Sequence, residues 1–304
     1  MIEFKKTSLW YGEVIALNEV SFKISKGITG LVGTNGAGKT SSIRLAASLL
    51  RPTLGEVLVD GEDVWQNYPY LKNLGYSPEI DRQFSFMTGR QFLDTAGKFH
   101  QIPLQKRNKR VDEILKRVGM THAADRKIEG YSRGMRQRIK IGQALVNEPH
   151  ILLADEPLSG TDPIGRKIMI DLFKELSHDD GVTIIVSSHV LHELERVSDR
   201  VIVLDSGQLV AEGKVADVRH ALTNIPQKLQ VHTSDAVQLG SLIVDLISGI
   251  QVNNSENLTV EVDNRQKFAK QLFQKIEGTD IIIYEMSAVG EDLTSVFKMI
   301  KKAK

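Results

Sequence analysis

Ile28-Thr29-Gly30-Leu31-Val32-Gly33-Thr34-Asn35-Gly36-Ala37-Gly38-Lys39-Thr40 is the stretch whose reading decides the fold. A short apolar run ends in a glycine-rich loop that matches the phosphate-loop pattern G-x-x-x-x-G-K-[ST]. Glycines let the backbone curl so that several N–H groups of Gly33, Thr34, Asn35, Gly36, Ala37 and Gly38 point inward at phosphate oxygens. The helix that follows offers the positive end of its dipole to the same anion. Lys39 supplies a point charge for the β- and γ-phosphates, and the Thr40 hydroxyl is a ligand for Mg²⁺. Ser41 follows in the same turn and belongs with the nucleotide-binding residues. A buried strand before the loop and a helix after it predict an α/β fold that holds a nucleoside triphosphate.

A second apolar strand, Ile151-Leu152-Leu153-Ala154, ends in Asp155-Glu156. Brought beside the phosphate loop, Asp155 can hold Mg²⁺ directly or through water. Successive strand residues point to opposite faces, so Glu156 takes a different task, polarising an attacking water. Without the upstream loop, Asp-Glu-Pro would read as a strand-ending turn with solvated carboxylates.

Further out, residues 1–32 alternate with period two, and Val20, Phe22 and Ile24 share one face. Residues 39–50 carry a helical pattern stopped by Arg51-Pro52, and 55–61 read as strand and turn. From Thr88 to Asn147 the pattern is helical. Met87-Thr88-Gly89 opens a segment containing Phe92, and Val111, Ile114, Leu115 and Val118 mark the next helix. Ser132 starts a third, as a good N-cap for a helix running to about Asn147. Strands at 151–154 and 182–187 flank a helix at 163–178, which implies a parallel sheet covered on both faces. Around Asn224-Ile225-Pro226 the pattern changes. Strands at 228–233, 249–255, 257–263 and 280–286 alternate with helices at 236–247, 265–276 and 291–303, the order of a ferredoxin-like plait. The expected division is 1–224, with a helical subdomain over about 88–147, and 225–304, a small α+β accessory domain.

The 304 residues carry 39 Lys and Arg against 38 Asp and Glu, which excludes a binder of nucleic acid by bulk charge. The absence of cysteine excludes disulfides, a thiolate nucleophile and Cys-based zinc sites. No apolar run approaches the ~18–20 residues that span a bilayer. Met1 to Gly12 carries charges where a signal peptide would be apolar. The expectation is a soluble, cytoplasmic chain. The basic stretch Lys98 to Arg117 and Lys298, Lys301, Lys302 and Lys304 read as solvated faces, with contact to anionic lipid as the other reading.

Three further motifs stand in a telling order. Tyr131-Ser132-Arg133-Gly134-Met135-Arg136-Gln137-Arg138 precedes the Asp-Glu strand, Ser159-Gly160-Thr161-Asp162 follows it, and Val186-Ser187-Ser188-His189 ends the next strand. With the phosphate loop, this order resembles the ATP-binding cassette (ABC) family over residues 1 to about 220. The resemblance implies that Ser132, Arg133 and Gly134 begin the signature helix, which caps ATP bound to a second subunit. Tyr131, Arg133 and Met135 depart from the common Leu-Ser-Gly-Gly-Gln form. By the same resemblance Asp162 lies in the loop coupling the two sites, and His189 is the switch histidine orienting water and Glu156. Tyr11, 28 residues before Lys39, falls where an aromatic stacks on adenine, with Trp10 as the alternative register. Tyr76-Ser77-Pro78-Glu79 has a Glu where the family usually has Gln; Glu79 keeps an oxygen for Mg²⁺ or its water but adds negative charge.

That Glu, with Gly134 to Arg138 and the tail from Glu291 to Phe297, is similar to the exporter-type subfamily paired with ABC-2 permeases. The resemblance implies an ATPase subunit, using ATP and Mg²⁺, which pairs with a second copy of itself. It implies a partner too, a polytopic membrane permease met from the cytoplasmic side of the cell membrane. The other class, an ABC ATPase working on nucleic acid or ribosomes, typically has a long coiled coil or two cassettes. One phosphate loop, no sustained heptads and balanced charge argue against it.

Overall fold

The computed structural model describes residues 1–80, 85–218, 227–263 and 265–289. Two compact units make up the chain, Met1–Val215 and Ala216–Lys304.

In the first unit the chain runs β1 (Ile2–Tyr11), β2 (Val14–Ile24), β3 (Ile28–Val32), α1 (Lys39–Ala46), β4 (Leu54–Val59), β5 (Glu62–Asp63), α2 (Tyr68–Lys72) and β6 (Leu74–Ser77). It continues through α3 (Gly89–Phe99), α4 (Leu104–Arg117), α5 (Arg133–Ala144), β7 (Ile151–Ala154), α6 (Pro163–His178), β8 (Thr183–Ser188), α7 (Leu191–Glu195), β9 (Arg200–Asp205) and β10 (Gln208–Lys214). An antiparallel sheet has the order β2-β1-β4-β5, and a second sheet the order β10-β9-β3-β8-β7-β6. In the second sheet only the β9–β10 pair is antiparallel.

One apolar core fuses α1 to both sheets. Phe4, Val20, Phe22 and Ile24 from the antiparallel sheet meet Ile43 and Leu45 of α1, which also meet Leu153, Ile185 and Ile202 of the other sheet. The period-two expectation for Val20, Phe22 and Ile24 is met, since all three are buried. α6 and α7 pack against β3 and β8, and α3, α4 and α5 pack on one another. Thr88 caps α3 in a full capping box with Gln91.

α5 approaches β6 closely. A Cβ built on Gly75 would lie 2.2 Å from the Ala144 carbonyl oxygen, so only glycine fits there.

Several boundaries differ from expectation. α1 stops at Ala46 and the chain turns through Ser48 at φ 55°, leaving Leu49 exposed, so the helix ends before Arg51-Pro52. α5 ends at Ala144 rather than near Asn147. β9 and β10 close the far side of the sheet, and neither was anticipated from the pattern.

In the second unit, strands β11 (Gln227–Thr233), β12 (Gly249–Val252), β13 (Asn257–Val262) and β14 (Ile283–Val289) form one sheet, order β12-β13-β11-β14. All its pairings are antiparallel. Helices Ala236–Leu242 and Arg265–Ile276 bury Leu239, Phe268 and Leu272 against Leu229, Val231, Leu258 and Val260. The last strand begins at Ile283 rather than 280. The helix expected over 291–303, the tail motif from Glu291, the C-terminal lysines and Pro226 lie outside the described residues. Among the described residues no helix is long and apolar enough to cross a membrane.

The glycine contact makes a stability prediction. Gly75→Ala forces a methyl group against a main-chain carbonyl, and overpacking of that kind costs about 1–3 kcal/mol. Gly130→Ala, whose added Cβ would find its nearest atom at 3.7 Å, serves as the control. Urea unfolding followed by circular dichroism should show a lower midpoint for the first variant alone.

Candidate functional site

Parallel pairing brings three strand ends together. Val32 of β3 pairs with Ser188 of β8, and Ala154 of β7 with Val186 of β8. The loops that leave these strands therefore start side by side, at the carboxyl edge where α/β sheets hold ligands. They carry the phosphate loop, Asp155-Glu156 and His189.

Gly36 and Gly38 have φ of 81° and 101°, which turns the loop into the start of α1. A Cβ on Gly38 would lie 2.7 Å from the Ala16 carbonyl oxygen, and one on Gly33 would lie 2.4 Å from that of Leu204. Lys39 Nζ donates to the carbonyls of Gly33 at 2.7 Å and Thr34 at 3.1 Å. It also stands 3.5 Å from Glu156 Oε1, with both side chains almost fully buried. Thr40 and Ser41 begin α1 beside it.

Glu156 is held from two further directions. Its Oε2 lies 3.0 Å from His189 Nδ1. A carboxylate only accepts, so in this contact Nδ1 carries the proton, and a neutral ring then has a free acceptor at Nε2. The main chain at Glu156 adopts φ 48°, a left-handed conformation that costs an L side chain about 1–2 kcal/mol. Its N–H donates to Ser187 Oγ at 2.8 Å, and Ser187 Oγ donates to Asp155 Oδ1 at 2.6 Å. Ser187 thus ties the two acids together. It went unassigned in the sequence, where the only signal was a polar residue in a buried strand.

Asp155 is 1 % exposed, and its Oδ2 has no hydrogen-bond partner among the described residues. It lines a cleft with Arg44, Tyr76, Glu79 and Ile80. Glu79 is exposed at the edge of this cleft. An orphaned carboxylate oxygen in a cleft is the chemistry a hard divalent cation needs. No cluster of three or more His, Asp or Glu gathers among the described residues, so phosphate and water oxygens would complete the shell. Tyr11 reaches α1, its hydroxyl 3.5 Å from Ser41 Oγ. Trp10 and Tyr11 are both exposed.

Ser132, Arg133, Gly134 and Asp162 form a second group. Ser132 caps α5 by accepting from the Met135 N–H at 3.2 Å. Arg133 Nη2 donates to Ser159 Oγ at 3.0 Å, and its stem covers Gly160, where a Cβ would meet Arg133 Cδ at 2.3 Å. Arg133 is thus engaged by the neighbouring loop. Asp162 caps α6, and the Gly165 N–H holds its carboxyl below the usual carboxylate range. A Cβ on Gly134 would lie 3.5 Å from Asp162 Oδ2, so the two helix starts are adjacent. Tyr131 is buried and donates to the Ala123 carbonyl at 2.7 Å. The two groups are linked through residues 156–162, where the Ser159 N–H donates to the Glu156 carbonyl at 3.2 Å.

Ser187→Ala leaves the Glu156 N–H and an Asp155 oxygen unpaired, at a cost of about 1–3 kcal/mol. Denaturant unfolding should show that loss, and ATPase assays a slower rate. An unchanged midpoint would mean that Ser187 does not tie the acids.

The comparisons with known proteins agree with this geometry. A family model described as ABC transporter matches residues 17–159. The ABC transporter ATP-binding protein YxlF of Bacillus subtilis (strain 168) is 35% identical over 205 residues, 67% of this chain and 68% of that one. The daunorubicin resistance ATP-binding protein DrrA3 of Streptomyces coeruleorubidus is 30% identical over 294 residues, 94% of this chain and 91% of that one. That likeness runs into both units. Among solved structures, the dimeric post-hydrolysis state of the ATP-binding cassette MJ0796, bound to ADP and Pi, superposes with a TM-score of 0.65. It is 26% identical and covers 71% of this chain and 99% of its own. The chain belongs to the ATP-binding cassette family, as an ATP-binding and ATP-hydrolysing subunit of an ABC transporter.

Proposed function

We propose that the chain powers an exporter, as one of two identical ATPase subunits docked beneath a separate polytopic permease of the ABC-2 type. The observation that carries this reading is the division of the site into two groups. The phosphate loop, Asp155-Glu156 and His189 lie at the ends of three neighbouring strands, whereas the Ser132 start of α5 is built against the Asp162 loop. Each chain then offers half of two sites, and a second copy brings its signature helix to the first copy's nucleotide. The names of relatives such as DrrA3, a drug-resistance ATP-binding protein, support export as the direction. Partnership with a permease implies a cytoplasmic location, peripheral on the inner face of the membrane.

Within each site, residue roles follow from chemistry. Lys39 exchanges its two carbonyl partners for phosphate oxygens while the loop N–H groups take the rest of the charge. Tyr11 stacks on the base. Thr40, Asp155 and Glu79 would hold Mg²⁺, which when bound neutralises charge on the phosphates. Glu156 accepts a proton from the attacking water, and His189 keeps its carboxylate aimed. Ser132, Arg133, Gly134 and Asp162 complete the partner's site. Closure on ATP and reopening after hydrolysis give a permease an alternating structural input, because ATP contacts both halves only in the closed form.

Glu156→Gln should keep ATP binding while slowing turnover by roughly 10²–10⁴-fold, the usual weight of a general base. Nucleotide binding and phosphate release together decide this; hydrolysis at the wild-type rate removes Glu156 from the role. ATPase activity per chain should also rise with protein concentration, and a flat profile from a proven monomer would rule out the shared site. Affinity purification of the tagged chain from its native membranes should bring down a polytopic protein. Recovery with ribosomes instead would contradict the export reading.

A further inference from the structure

Along one stripe, α5 is fastened to β6 and to the turn beyond it. Just past the helix, Asn147 Nδ2 donates to the carbonyls of Lys72 at 3.0 Å and Leu74 at 3.1 Å. One turn earlier the Ala144 carbonyl lies against Gly75, at the close approach described above. Another turn earlier, Lys140 Nζ donates to the carbonyls of Pro78 and Glu79, each at 2.9 Å. Lys140 and Ala144 are one turn apart on α5, and Asn147 follows in the turn that leaves it.

Lys140 is 2 % exposed, so its ammonium has given up water and the carbonyls of Pro78 and Glu79 are among the groups that replace it. Desolvating a cation is expensive, and the strand itself does not require one. Asn147 and the Gly75 approach already hold β6. What the ammonium adds is a grip on the two residues past the strand's end, where the chain presents Glu79 to the cleft shared with Arg44, Tyr76 and Asp155. The same rigid helix begins eight residues earlier at Ser132, about 12 Å away at 1.5 Å per residue. One helix therefore carries the signature end and the anchor of the Glu79 turn.

We propose that Lys140 is a positioning residue for hydrolysis. From α5 it fixes the Glu79 turn, so the signature end of that helix and Glu79 keep one geometry toward their two nucleotides. The proposal rests on the reading of Glu79 as an oxygen ligand toward the metal of its own site.

A double-mutant cycle on the full chain tests it, with kcat and KM for ATP measured for Lys140→Met, Glu79→Ala and the pair. Each single variant should lower kcat by about tenfold, and the pair should be no slower than the slower single, as for residues acting through one another. KM should change much less than kcat, and Lys140→Arg, which keeps cationic donors, should recover most of the rate. A general packing defect would instead leave the two effects to multiply. A wild-type kcat in Glu79→Ala removes the role of Glu79 and the proposal with it. A slow Glu79→Ala beside an unimpaired Lys140→Met, or a pair as slow as the product of the singles, overturns the proposal alone. If Lys140→Met does not yield folded protein, Lys140→Gln runs the same cycle with the same two outcomes.

Discussion

Val32, Ser188 and Ala154 lie at the ends of three neighbouring parallel strands, and their register is the constraint on which the nucleotide site depends. Strands in a sheet lie about 4.8 Å apart, so groups leaving adjacent ends are within side-chain reach of one another. That spacing lets Lys39, Glu156 and His189, which are far apart in sequence, form one continuous chain of polar contacts. A slip of one residue in β7 would turn its side chains to the opposite face and take Asp155 away from Ser187.

The same constraint explains why the site is electrostatically ready. The Lys39 ammonium and the Glu156 carboxylate are buried against each other, so each offsets part of the other's desolvation cost. The ammonium is bonded to the carbonyls of Gly33 and Thr34, which holds the loop's shape around it. Ser187 stands at the centre, satisfying an N–H and a carboxylate with one hydroxyl. The orphaned Asp155 oxygen is the complementary feature, an unmet acceptor in a place where a cation suits it. The signature group is organised separately, around two adjacent helix starts whose caps are Ser132 and Asp162.

Much of this was legible in the residues because motif and context coincided. Ile151–Ala154 and Pro163–His178 have the bounds their apolar patterns predict, since both are bracketed by residues with strong local preferences. Arg265–Ile276 in the second unit matches for the same reason. Where tertiary packing decides, local reading fell short. α1 loses its last turn because the chain must reverse at Ser48, even though Leu49 and Leu50 continue the apolar pattern. The tasks of Ser187 and Lys140 depend on partners 31 or more residues away, so no local pattern marks them. Arg133, expected at the start of the signature helix, is drawn to Ser159 by a loop that only the fold brings near.

A nucleotide site shared between two copies is the central claim, and mixing two inactive variants tests it most directly. Lys39→Ala disables the cradle of its own chain, while Ser132→Arg disables the signature helix it lends to a partner. In a mixed dimer one site has both defects and the other has none. The account predicts that the mixture hydrolyses ATP well above the sum of the two variants assayed separately. Activity that stays at that sum, with mixed dimers shown to form, would contradict it.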